Sequence, residues 1–239
     1  GKLNWKYENL SNNSKICISK NGNYIILANQ TKLYYLNQFG EVERDISLSS
    51  SIFEMSLSEE KQLIICNNEG LFLIEADDNF LNLSEQTDYS EIVCSSEYFL
   101  AVSSSETIAF SYSGAELWRK DEVVAKNISF SNNGIKHIFL ENSNSIVCQD
   151  RNGDRIWNYH SKDDLDGSTV IESGEMVGVY SNKVFHVLDN KGEQSWSYQA
   201  RERIIDFIFS KHGGEVILAS ESKIHWFQNE GFLRIQLDT

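Results

Sequence analysis

Short apolar runs of four or five residues recur along the chain in pairs, each pair divided by polar turn residues. The first members are Tyr24-Ile-Ile-Leu-Ala28, Leu63-Ile-Ile-Cys66, Tyr98-Phe-Leu-Ala-Val102, His137-Ile-Phe-Leu140, Met176-Val-Gly-Val-Tyr180 and Val216-Ile-Leu-Ala219. The second members are Leu33-Tyr-Tyr-Leu36, Leu71-Phe-Leu-Ile74, Thr107-Ile-Ala-Phe110, Ile146-Val-Cys148, Val184-Phe-His-Val-Leu188 and Ile224-His-Trp-Phe227. These runs are β-branched and aromatic, and they stay apolar where a half-exposed strand would alternate, so they predict strands covered on both faces. An alternating segment precedes each pair, as in Lys15-Ile-Cys-Ile-Ser19 and Ile205-Asp-Phe-Ile-Phe-Ser210, and a charged aromatic segment such as Asp154-Arg-Ile-Trp-Asn-Tyr159 follows. The unit is a four-stranded antiparallel meander whose two middle strands are the most buried. No run carries the 3.6-residue period of a helix.

A glycine landmark sets the period. Gly40-Glu-Val-Glu-Arg44, Gly114-Ala-Glu-Leu-Trp118, Gly153-Asp-Arg-Ile-Trp157, Gly192-Glu-Gln-Ser-Trp196 and Gly231-Phe-Leu-Arg-Ile235 align, and Gly1-Lys-Leu-Asn-Trp5 fits the same frame. With Asn79 standing in for glycine, the landmarks fall at 1, 40, 79, 114, 153, 192 and 231, in steps of 39, 39, 35, 39, 39 and 39 residues. Four strands per period of about 40 residues predict an all-β fold, a β-propeller of four-stranded antiparallel blades. The expected organisation is a single propeller domain over 1–239 with repeats at about 11–47, 48–85, 86–120, 121–160, 161–199 and 200–239, giving six blades. Lys2–Tyr7 adds an outer-type strand with no unit of its own, so a seven-bladed ring, or one finished elsewhere in a longer protein, is the alternative. The chain has no proline, and turns such as Lys20-Asn21-Gly22, Asn132-Asn133-Gly134, Ser173-Gly174 and His212-Gly213-Gly214 supply the positive φ of tight hairpins.

Composition narrows the function classes. The 239 residues are 41% hydrophobic and carry a formal net charge of −14, which repels a phosphate backbone and leaves nucleic-acid binding unexpected. No apolar stretch is long enough to span a bilayer, so no membrane insertion is expected, and Lys2, Lys6 and Glu8 occupy the place of a signal peptide's apolar run. Cys17, Cys66, Cys94 and Cys148 lie in strand-like runs without CxxC spacing. They read as buried free thiols of a reducing compartment, with a cytoplasmic location as the expectation.

The frame Asp-x-x-Gly-x-x-x-Trp, in Asp150…Gly153…Trp157 and Asp189…Gly192…Trp196, with weaker copies from Asn37, Ser111 and Gln228, resembles the tryptophan-docking motif of quinoprotein-like and WD-repeat-like propellers. The resemblance implies a propeller in which the outer-strand Trp lies against the adjacent blade. It implies no activity: no Trp-Asp dipeptide, Gly-His pair or adjacent cysteine pair is present. No quinone or other cofactor is expected.

Candidate chemistry is sparse. Lys162-Asp163-Asp164-Leu165-Asp166-Gly167 gathers three carboxylates, but a calcium loop needs six to eight oxygens, and Lys162 stands where the first acidic ligand belongs. His186 and His225 hold equivalent positions in adjacent repeats, about 10 Å apart if sheets stack normally, and read as core histidines with a hydrogen-bond partner. No catalytic set and no metal site is expected. Trp5, Trp118, Trp157 and Trp196 read as interblade packing.

The resulting expectation is a non-catalytic interaction scaffold or sensor module, part of a larger protein or complex, that binds a protein or peptide through its loops. The candidate loops are Asn29–Thr31, Asn67–Glu69, Ser103–Ser105, Asn142–Asn144, Ser181–Asn182 and Ser220–Ser222. Asp121, Glu122, Asp163, Asp164, Asp166, Asn142, Asn144 and Asn182 are the contact candidates, forming an acidic, Asn-rich surface suited to a basic partner. The alternatives are a hydrolase or lyase with a site in the propeller's axial channel, and a glycan-binding propeller using its tryptophans.

Overall fold

The chain was analysed as a computed structural model, which describes residues 5–7, 14–19, 22–58, 60–121, 125–131, 134–210, 212–228 and 230–238. These residues are all-β, in six antiparallel sheets of four strands, the six blades of a propeller. They divide into two compact units, Gly1–Glu122 and Val123–Thr239.

The first unit holds three blades. They are β1 (Lys15–Ile18), β2 (Tyr24–Asn29), β3 (Lys32–Asn37) and β4 (Val42–Ser47); β5 (Ile52–Leu57), β6 (Leu63–Asn67), β7 (Gly70–Ile74) and β8 (Phe80–Ser84); β9 (Glu91–Cys94), β10 (Tyr98–Val102), β11 (Glu106–Ser111) and β12 (Glu116–Asp121). The second unit holds β13 (Lys126–Phe130), β14 (Lys136–Asn142), β15 (Ser145–Asp150) and β16 (Arg155–His160); β17 (Gly167–Val170), β18 (Val177–Ser181), β19 (Val184–Leu188) and β20 (Gln194–Gln199); β21 (Ile204–Phe209), β22 (Glu215–Ser220), β23 (Lys223–Gln228) and β24 (Leu233–Asp238). In every blade each strand pairs with the next in sequence, so the order is a plain meander. The continuous apolar runs became the two middle strands: β6 and β10 are buried throughout, whereas the outer strands β4, β12 and β20 alternate exposed and half-buried. Of the expected strand over Lys2–Tyr7, only Trp5–Tyr7 falls among the described residues, and that part is not strand. The turn residues Lys20, Asn21, Asn132 and Asn133 also lie outside the described residues.

The repeated Asp-x-x-Gly frame is the turn between the third and fourth strands. Asp189 Oδ1 accepts the N–H groups of Lys191 and Glu193, both at 2.9 Å, and Gly192 donates to the Asp189 carbonyl at 3.1 Å with φ of 80°. Asp150 and Asn37 accept in the same way at the turns of Gly153 and Gly40. Those backbone donors hold the Asp189 carboxyl below its usual range. Glycine is needed because a Cβ at residue 192 would sit 2.7 Å from Cε3 of Trp157, which reaches over from the preceding blade. An added Cβ would likewise lie 2.5 Å from the Trp5 ring at Gly40 and 3.0 Å from the Trp196 ring at Gly231. Trp157 and Trp196 therefore dock onto the next blade, as their repeat position predicts, and Trp5, outside the described strands, docks on the first blade's turn while donating its indole N–H to the Gln38 carbonyl at 3.0 Å.

The second repeat corrects the landmark assignment. The residue with positive φ that donates back across this turn is Asp78 (φ 67°), bonded to the Glu75 carbonyl at 3.1 Å; Asn79 is its neighbour. Where the turn carries Asp78 in place of glycine, the preceding blade carries Arg44 in place of tryptophan, and the two form an ion pair, with Arg44 also donating to the Ala76 carbonyl at 3.0 Å. A Trp–Gly contact has been exchanged for an Arg–Asp contact.

Candidate interaction surface

Antiparallel meanders send their connections alternately to the two ends of each sheet. The hairpins joining second to third strands and the interblade loops share one end, the loop end; the other two hairpins of each blade share the turn end. All the candidate loops therefore lie at loop ends.

In the second unit, hydrogen bonds between neighbouring connections fix this end. Leu165 is buried and donates its N–H to the Ser143 carbonyl at 2.6 Å, while Ser161 donates to the Asn144 carbonyl at 2.9 Å, which ties the 161–166 loop to the β14–β15 hairpin. Asp166 accepts the Asn182 N–H at 2.7 Å and stands 3.7 Å from Arg203. Glu202 accepts the Ser222 N–H at 3.0 Å and its hydroxyl at 2.7 Å, and the same serine donors keep the Glu202 carboxyl below its usual range. The first unit repeats the device, with Asp88 receiving the N–H of Ser104 at 3.2 Å and its hydroxyl as well.

The predicted contact residues divide accordingly. Asp166 and Asn182 are brought together, but they bond to each other. Asn142 is exposed at the end of β14 and turns its Oδ1 inward to the Asn144 N–H at 3.1 Å; Asn144 Oδ1 accepts from Ser145 at 3.4 Å. Asp163 and Asp164 are exposed in the same loop, and neither carboxylate enters an ion pair among the described residues. Asp121 ends β12 in the first unit, exposed, and Glu122 lies outside the described residues.

Charge is distributed differently from the expectation of acidic loops. Between the strands of the second unit, the loop end carries Asp163, Asp164, Asp166, Glu202 and Glu221 against Lys162, Lys183, Arg201 and Arg203, which is near balance. Among the described residues its turn end carries Asp154, Glu172, Glu175, Asp189, Glu193 and Glu230 against Arg151 and Lys191. In the first unit the described turn end is again the more acidic, with Glu41, Glu60, Glu75, Asp77, Asp78 and Glu97 against Lys61, and the loop end holds Glu69, Glu85 and Asp88.

Sequence reasoning missed one crevice. A cavity of about 230 Å³ opens between the first two blades, lined by Tyr24, Ile26, Tyr35, Arg44 and Lys61 among others. The Arg44 guanidinium lies 3.9 Å over the Tyr35 ring and the Lys61 ammonium 3.7 Å over that of Tyr24. The Tyr35 hydroxyl is buried without a hydrogen-bond partner among the described residues, and burial pushes its phenol up to about 12. The signal in the sequence was the break in the repeat at Arg44.

The remaining candidates are structural. His225 is buried, with Nδ1 3.3 Å from the Tyr198 hydroxyl, whereas His186 leaves Nδ1 buried without a partner among the described residues; burial lowers both pKa values. All four cysteines are free thiols, and burial pushes them up, Cys17 to about 12 and both Cys94 and Cys148 to about 11. Among the described residues no group of three or more His, Cys, Asp or Glu side chains is placed to hold a metal, and no helix is long and apolar enough to cross a membrane.

No family model and no curated protein matches the chain. Solved structures do. The C-terminal WD40 domain of Sif2 superposes with a TM-score of 0.74 at 9% identity, covering 98% of this chain and 74% of that one. The Dos1 propeller gives 0.72 at 12% identity, covering 94% and 70%. Kluyveromyces lactis Hsv2, with loop 6CD replaced by a Gly-Ser linker, gives 0.72 at 12% identity, covering 94% and 80%. At such identities the likeness is one of fold.

Proposed function

We propose that the chain is a non-catalytic interaction module that binds a protein or peptide at the loop end of its second unit. The observation that carries this reading is the division of labour among the acidic residues there. Asp166 and Glu202 are spent on fixing the loops, while Asp163 and Asp164 stand exposed on a loop anchored by buried Leu165. A fixed surface loses little conformational freedom on binding, and two unspent carboxylates favour a partner that is basic opposite them. Asn142 and Asn144 add hydrogen-bonding capacity at the same end.

The supporting comparisons are propellers, among them a WD40 domain. The test is an array of immobilised basic, neutral and acidic peptides probed with the protein and with Asp163→Asn/Asp164→Asn. Retention on basic peptides, weakened at least several-fold in the variant and by added salt, is expected. Equal retention on all three peptide classes, or indifference to the double substitution, would overturn the reading.

A further inference from the structure

In the first blade the row Ile26, Tyr35 and Arg44 crosses the sheet in register. The matching rows are Ile138, Cys148 and Trp157 in the fourth blade and Gly178, Val187 and Trp196 in the fifth. There the middle position is a thiol or a valine, and the indole lies over the next blade's glycine turn. The first blade sets a phenol beside a guanidinium instead, and the crevice of about 230 Å³ between it and the second blade opens at those two side chains. Ile26 is buried in its wall, Leu57 is half-buried, and Glu43 and Lys61 are its exposed members. The donors of this crevice are short of acceptors. Tyr35 is 8% exposed, its hydroxyl has no partner among the described residues, and the Arg44 beside it can only donate, so the phenolic proton lacks an acceptor. Arg44 meets Asp78 and the Ala76 carbonyl through Nη1 alone, which leaves the N–H groups of Nε and Nη2. The Lys61 ammonium is held at the same crevice over the Tyr24 ring, 3.7 Å from its centroid.

We propose that the crevice binds a small organic anion, a carboxylate carried on a single apolar ring, with Tyr35, Arg44 and Lys61 donating to the carboxylate and Ile26 and Leu57 against the ring. Three observations select this chemistry. The polar groups that lack acceptors are all donors, so the ligand must bring the acceptors, and a carboxylate has room for several. The volume exceeds the roughly 150 Å³ that accommodates benzene, so one ring and its carboxylate fit. A buried hydroxyl with no acceptor destabilises the free protein, and an acceptor delivered by the ligand removes that cost. Burial keeps the Tyr35 phenol protonated at neutral pH and therefore a donor. Asp78 already pairs with Arg44, and Glu43 is exposed, so the site selects its anion by fixed donors and not by a surplus of positive charge. The crevice belongs to the first unit, and the assignment does not rest on the peptide-binding reading of the second.

The experiment is a titration of the isotope-labelled 239-residue chain with phenylacetate, followed by proton–nitrogen correlation spectra. Saturable shifts centred on residues 24–26, 35, 43–44, 57, 61 and 76 are expected, with a dissociation constant of about 1 mM, suited to a ligand of this size. Phenylacetamide, which keeps the ring and loses the charge, and acetate, which keeps the charge and loses the ring, should each bind at least about tenfold more weakly. Tyr35→Phe should weaken phenylacetate about tenfold yet melt no lower than the parent, because it discards a hydroxyl that has no partner in the free protein; a hydroxyl with a purely structural role would lower the melting temperature instead. Lys61→Gln, on an exposed turn, should weaken binding as well, and Lys32→Gln, whose ammonium pairs with Asp45 away from the crevice, should not. N-acetylphenylalanine separates two sources of the same chemistry: tighter binding than phenylacetate supports the site and assigns it to the carboxyl terminus of a peptide, weaker binding supports it and assigns a free acid. If Tyr35→Phe does not fold, Lys61→Gln decides. No saturable shift up to about 20 mM, equal affinity for phenylacetamide, or an affinity that either crevice substitution leaves unchanged would overturn the proposal.

Discussion

Docking of an outer-strand tryptophan onto a glycine turn makes a quantitative claim that Gly192 tests. Replacing it with alanine imposes two separable costs. The first is conformational: φ at Gly192 is 80°, and an L-residue in that region costs about 1–2 kcal/mol. The second is steric, since the new Cβ would lie 2.7 Å from Cε3 and 2.8 Å from Cδ2 of Trp157, against contact distances near 3.5–4.0 Å; relieving such overpacking costs about 1–3 kcal/mol. Gly22 provides the control, because its φ is 71° and nothing lies within 4 Å of an added Cβ. Gly22→Ala should therefore cost about 1–2 kcal/mol and Gly192→Ala about 2–5 kcal/mol. Trp157→Ala removes the obstacle at a cost of its own of about 3–5 kcal/mol, and in that background Gly192→Ala should fall back to the cost seen at Gly22. Urea unfolding followed by far-ultraviolet circular dichroism, which is indifferent to the lost indole, measures all four. The reasoning fails if Gly192→Ala costs no more than Gly22→Ala, or if its cost is the same with and without Trp157.

The Arg44–Asp78 exchange predicts positive coupling: Arg44→Trp and Asp78→Gly should each destabilise alone, and the double variant, which restores the repeat's own contact, should melt above both in calorimetry. His186 and His225 are held below the ordinary histidine value of 6.5 by burial, so between that value and their folded pKa values the unfolded chain binds protons that the native chain does not. Stability should accordingly fall as pH drops below about 6.5, and a melting temperature unchanged between pH 7.5 and pH 5.5 would contradict this. The carboxyls held low, such as Asp189 and Glu202, withdraw their contribution only further down, as pH falls below their ordinary values of 3.8 and 4.5. With their thiols raised by burial, Cys17, Cys66, Cys94 and Cys148 should react with a disulfide reagent at pH 8 only slowly in the native protein and all together in denaturant. A thiol that reacts at the free rate without denaturant would refute that.

The fold was legible because its determinants are local and repeated. Continuous apolar runs marked the middle strands, and the Asp-x-x-Gly-x-x-x-Trp frame encodes one turn, in which the carboxylate, the positive φ and the docked ring each need one residue type. The frame misled where two positions changed together: with glycine gone from the second turn, the eye settles on Asn79, and only the backbone shows Asp78 in the glycine's place. The candidate surface was half legible. Its loops follow from the meander, since topology alone decides which connections share an end. The fate of each carboxylate does not, because Asp163 and Asp166 differ only in which backbone N–H the fold brings near them. The acidic surplus was assigned to the loops, although among the described residues the turn ends carry more of it.

The most direct measurement of the proposed interaction surface is hydrogen–deuterium exchange of the protein alone and saturated with the tightest-binding basic peptide of the array. The account predicts slowed exchange in residues 142–144, 161–166 and 181–183, with the 150–154 and 189–193 turns unaffected. Protection confined to those acidic turns, or none at the loop end, would contradict it.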